Sequence, residues 1–89
     1  MKKILVAEDE QAIREFVVIN LKRAGYDVVE AENGDEALKL YDEAGGDFDV
    51  AVLDIMMPGE HDGLSVCKEL RKKSGTLGII LLTCLLYTS

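Results

Sequence analysis

One stretch constrains this chain more than any other. Val50-Ala51-Val52-Leu53 is an apolar run that ends abruptly in Asp54, with Pro58 a short way beyond. A run with no polar member reads as a strand buried on both faces, as parallel strands covered by helices are. A carboxylate at the end of such a strand is costly, because aspartate is seldom buried unless it is paired or holds a metal. Packing does not account for Asp54.

The rest of the chain supplies company for that strand. Ile4-Leu5-Val6-Ala7 is a second apolar run, and it stops at Glu8-Asp9-Glu10. Ile13, Phe16, Val17, Leu21 and Ala24 recur at helical spacing and predict an inward face, with Gly25 as the left-handed cap. The acids before them suit the positive end of that helix's dipole. Tyr26 to Ala31 is a short strand, and Asn33-Gly34-Asp35 is turn and cap chemistry. Ala37, Leu38, Tyr41 and Ala44 mark one face of a second helix, closed by Gly45-Gly46, and Phe48 to Leu53 is the next strand. Leu64, Cys67 and Leu70 mark the inner face of a third helix, whose basic end (Lys68, Arg71, Lys72, Lys73) complements its dipole. Ile79 to Leu82 is a fourth strand, ending in Thr83. Strand and helix thus alternate, which predicts an α/β domain with a parallel sheet, right-handed crossovers and helices on both faces.

Bulk properties narrow the function. The 89 residues make one small domain, and 48% apolar content is too high for a disordered chain. A net charge of −7 argues against direct nucleic-acid binding and suits a divalent cation or a basic partner. Cys67 and Cys84 form no ligand-like spacing and read as reduced thiols of a cytoplasmic protein. Only four apolar residues follow Lys2-Lys3 before Glu8, so no signal peptide is expected. The longest apolar run, 79–87 and broken by Thr83, is short of the ~20 residues that span a bilayer, so no membrane role is expected. Residues 84–89 have neither period nor cap and read as an atypical, non-native tail. A fourth strand left as an uncovered apolar edge reads as the mark of an incomplete domain.

In parallel sheets ligands bind beyond the carboxyl ends of the strands. Glu8 and Asp9 follow the first strand, Asp54 closes the third and Thr83 the fourth, so all four fall on one rim. Carboxylates gathered there repel one another unless a cation sits among them, and oxygen-only ligands suit Mg²⁺.

These residues resemble the receiver domain of bacterial response regulators. The matching pieces are Ile4 to Glu10, Asn33 to Leu38, Asp54-Ile55-Met56-Met57-Pro58-Gly59, Asp62-Gly63-Leu64 and the strand ending in Thr83. The resemblance implies a flavodoxin-like, doubly wound sheet of four strands in the order 2-1-3-4 with three helices, the fifth strand and last helices missing. The receiver unit would span residues 1–83. It further implies that Asp54 is the phosphoacceptor, taking a phosphoryl group from a sensor histidine kinase. Asp9 would ligate Mg²⁺ directly, Glu8 through water, and Asp54 and the Met56 carbonyl would complete the protein ligands. Thr83 would contact the phosphoryl group and act as the switch, with output through a C-terminal effector domain lost from this form. Such a domain assists its own phosphorylation and is not a turnover enzyme. Two features depart from the family pattern: the lysine that closes a fifth strand has no counterpart, and the turn from Pro58 to Gly63 is one residue longer. Lys2 and Lys3 lie at the wrong end of the first strand to replace that lysine.

Plainer readings exist for each residue. Asp54 could cap a turn, Glu10 could serve helix-terminal electrostatics alone, and Thr83 could be an ordinary β-branched strand residue. His61 reads as a solvated loop residue and Cys67 as core. Among whole-chain alternatives, a flavodoxin-like small-molecule binder needs a neutral phosphate-cradling loop after the first strand, where Glu8-Asp9-Glu10 stand. An aspartyl-phosphate hydrolase needs a carboxylate where Met56 stands. The remaining alternative is a receiver-derived fragment without activity.

Overall fold

A computed structural model describes residues 2–57 and 61–82. Its elements run β1 (Lys3–Ala7), α1 (Gln11–Arg23), β2 (Asp27–Ala31), α2 (Gly34–Glu43), β3 (Val50–Asp54), α3 (Gly63–Lys73) and β4 (Gly78–Leu82). The strands form one parallel sheet in the order β2-β1-β3-β4. Fold class and strand order therefore agree with the sequence reading. The expectations attached to Thr83, to the 84–89 tail and to Pro58-Gly59-Glu60 lie outside the described residues.

Strand side chains alternate between the two faces of the sheet, and each face builds its own core. Leu5, Ala7, Ala51 and Leu53 meet Ala37 and Tyr41 of α2 and Val66 and Leu70 of α3. On the opposite face Ile4, Val6 and Val52 meet Val18 of α1. That burial is what drives β1 and β3 to the centre. β4 is more open: Gly78 and Ile80 are exposed, Ile80 to 52%, as an uncovered edge would be.

Local chemistry ends the helices where the sequence suggested. Gly25 adopts φ +94°, the left-handed conformation after α1. The Asn33 side chain accepts from the Glu36 N–H (2.8 Å), while the Glu36 carboxylate accepts from the Glu32 N–H (2.9 Å). This reciprocal arrangement is a close variant of the capping box. At α3, Asp62 accepts from the Ser65 N–H (2.8 Å).

Three expectations are corrected. Phe16 is not on the inner face of α1; it is 69% exposed, and Val18 with Arg14 takes its place. At about 100° per residue, the buried arc runs from Ile13 and Val17 through Leu21 to Val18 and Arg14, leaving Phe16 beyond its edge. Leu64 is likewise exposed, and Val66 is buried with Leu70. Leu64 and Leu70 stand six positions apart, about 120° around the helix, and packing centres on Leu70 and Val66, leaving Leu64 at the outer edge. Finally, α1 begins at Gln11 with no acid in its first turn and no side-chain cap from Glu10. The three acids precede the helix and line the sheet rim.

Candidate functional site

β1 and β3 are neighbours in register, Ala7 beside Leu53. The next residue along each strand is therefore a carboxylate beside a carboxylate: Glu8 and Asp54. Both are about 1% exposed, whereas Asp9 faces solvent. One carboxylate oxygen from each of Glu8, Asp9 and Asp54 lies within 4.8 Å of the other two. The sequence-predicted acids thus converge.

Backbone contacts fix this rim. The Glu8 N–H donates to the Ala31 carbonyl (3.1 Å), and the Ile55 N–H to the Leu82 carbonyl (3.0 Å). Glu8 Oε1 accepts from the Glu10 N–H (3.0 Å), and Asp54 Oδ1 from the Met56 N–H (3.2 Å). Gly63, the first residue of α3, is pressed onto the end of β3: a Cβ there would run into the Asp54 carbonyl oxygen. Only glycine fits. Met56 lies at the rim beside Ile55, Met57 and Asp62, its side chain exposed.

Electrostatics follow from the crowding. The Glu8 carboxyl is pushed up from 4.5 to about 7, chiefly by burial. The charge of Asp54, a side-chain hydrogen bond with Asp54 and the charge of Asp9 add to this, and the Glu10 N–H works against it. An all-oxygen cluster whose crowded carboxylates disfavour one another's charge is the chemistry a hard cation relieves, so these residues fit Mg²⁺.

Two residues add to the sequence reading. His61 is a part-exposed loop residue, as expected, and its Nδ1 contacts Asp35 Oδ1 at the start of α2. Arg14 escaped notice because a charged residue on a helix is ordinarily solvated. Its position four before Val18, on the inner stripe, was the available signal.

The family profile described as "Response regulator receiver domain" matches residues 4–86. The chain belongs to that family. It is 45% identical over 82 residues to the alkaline phosphatase synthesis transcriptional regulatory protein PhoP of Bacillus subtilis (strain 168), covering 92% of this chain and 33% of that one. With the transcriptional regulatory protein ResD of the same organism it shares 48% over 81 residues, 91% of this chain and 32% of the other. This chain therefore spans about a third of the length of these relatives. Among solved structures, the response regulator TrrA from Thermotoga maritima, in complex with Mg²⁺–BeF, superposes with a TM-score of 0.86 at 47% identity. That match covers 98% of this chain and 73% of TrrA. A complex of histidine kinase ThkA with TrrA matches at TM-score 0.83 and 49% identity, over 94% and 70% of the two chains. Among the described residues, no helix is long and apolar enough to cross a membrane.

Proposed function

We propose that this receiver accepts a phosphoryl group on Asp54 from a sensor histidine kinase, with Mg²⁺ held by Asp9, Asp54, the Met56 carbonyl and, through water, Glu8. The observation that carries this reading is the convergence of three carboxylates, from the ends of two adjacent strands, within 4.8 Å. In the transfer, an O–P bond forms on the Asp54 carboxylate as the N–P bond of the donor phosphohistidine breaks, the electron pair remaining on the imidazole nitrogen. Bound Mg²⁺ supplies neutralisation of the phosphoryl oxygens, the larger part of catalysis in phosphoryl transfer. The chain's own part is positioning. Gly63 and the Met56 N–H hold the acceptor at the strand end, and burial of Glu8 and Asp54 keeps bulk water away from one side.

Phosphorylation then adds up to about −2 of charge and three acceptor oxygens at the rim. Thr83 hydrogen-bonds the phosphoryl group, its inward movement being the switch. The protein acts stoichiometrically in the cytoplasm, and output passes to a partner or to a C-terminal effector domain. The relative ThkA–TrrA complex and the regulatory names of PhoP and ResD support a kinase donor and a regulatory output.

The test uses Mg²⁺ with beryllofluoride, a phosphoryl mimic. In amide NMR spectra, the signals of Asp9, Asp54 and Thr83 shift on addition, and Asp54→Asn abolishes the shifts. Persistence of the shifts in Asp54→Asn refutes the acceptor assignment.

A further inference from the structure

Arg14 is the only buried cation among the described residues, about 8% exposed, and the phosphoacceptor reading gives it no role. From the inner stripe of α1 its guanidinium reaches three partners. Nη1 donates to the Glu8 backbone carbonyl (2.7 Å), Nε lies 3.4 Å from Glu30 and Nη2 lies 3.9 Å from Glu32. We propose that Arg14 is a positioning residue that sets the Glu8–Asp9 peptide, and so aims both carboxylates at a divalent cation. This rests on the function proposed above.

A peptide unit is planar, so fixing the Glu8 carbonyl oxygen also fixes the direction in which the Asp9 Cα leaves. At Glu8 the chain departs from the sheet, and its carbonyl has passed the last ladder position. The N–H side is held by Ala31 (3.1 Å). Arg14 holds the other side, and its own backbone N–H is bound to the Glu10 carbonyl (2.9 Å), closing a small ring around the acidic loop. Glu30 and Glu32, at the end of β2 and just beyond it, pair with the other nitrogens of the guanidinium. Lysine cannot do this. Its single ammonium lacks the planar fork that meets a carbonyl and two carboxylates at once. Groups one step removed from a metal, which orient its ligands, typically change affinity by about 10- to 100-fold when lost.

The test measures Mg²⁺ affinity by calorimetry, and the thermal midpoint separately, on the full chain. Arg14→Lys and Arg14→Met are expected to weaken Mg²⁺ binding about tenfold or more, lysine giving no rescue despite its charge. The double variant Glu30→Gln/Glu32→Gln, on exposed carboxylates, is expected to weaken it about threefold, the scale of surface ion pairs. A lowered midpoint with unchanged Mg²⁺ affinity in the folded variants overturns the positioning role and leaves the acceptor reading standing. Failure of the wild-type chain to bind Mg²⁺ overturns both. If Arg14→Met does not fold, unchanged affinity in the glutamine double variant overturns the proposal.

Discussion

Leu53 and Asp54 are consecutive residues of one strand, and water reaches neither: exposures are 0% and 1%. They do opposite things to the fold. Leu53 packs into the core with Leu5, Val66 and Leu70 and adds favourable burial. Asp54 brings a charge to the same depth beside Glu8, which opposes folding of the empty domain. Burial alone does not reveal whether a residue stabilises; what surrounds it decides. The central strands are apolar and packed for stability up to Leu53 and carry buried charge from Asp54 on, and the change falls within a single residue.

The contrast can be tested directly. Leu53→Ala should lower unfolding free energy by about 2–5 kcal/mol in urea titrations, the range for large-to-small changes in a core. Asp54→Asn, one residue away, should raise the stability of the metal-free protein at pH 8 by up to about 3–4 kcal/mol, the order of repulsion between like charges about 4–5 Å apart at an effective dielectric near 20. Similar losses from both substitutions would break the comparison.

A pH series sharpens it. Glu8 sits at about 7 in the folded chain against an ordinary 4.5. Because the folded value is the higher one, the unfolded chain releases this proton first. Metal-free stability should therefore decline as pH rises from 4.5 through 7, and level off above about 8. Glu8→Gln should flatten this slope, and saturating Mg²⁺ should remove it. A wild-type curve that rises over that window would contradict the assignment. The smallest effect belongs to Ile80, on the open strand β4. Ile80→Thr should change stability by no more than about 0.5 kcal/mol, as surface substitutions do. A loss comparable to that of Leu53→Ala would show that this face is covered in solution.

Much of this was legible in the sequence, for physical reasons that differ from part to part. The strands announced themselves because Val50 to Leu53 and Ile4 to Ala7 carry no polar residue at all. The rim acids were readable because a carboxylate that closes a buried run is costly to keep there unless it binds something. Helix facing was harder. Phe16-Val17-Val18-Ile19 is apolar throughout, so periodicity could not say which members turn inward, and the packing of α1 against β1 and β2 chose Val18. Arg14 was hidden by its own charge. Its burial depends on a carbonyl and two glutamates contributed by other segments, and no local pattern announces such a meeting.

The absence of a side chain at residue 63 has a mechanical consequence. With the first turn of α3 resting on the peptide of Asp54, the end of β3 cannot recoil toward that helix. Under the proposed phosphoryl transfer, new charge at that carboxylate would meet an anvil, and the displacement would be taken up by whatever around it is freer to give way.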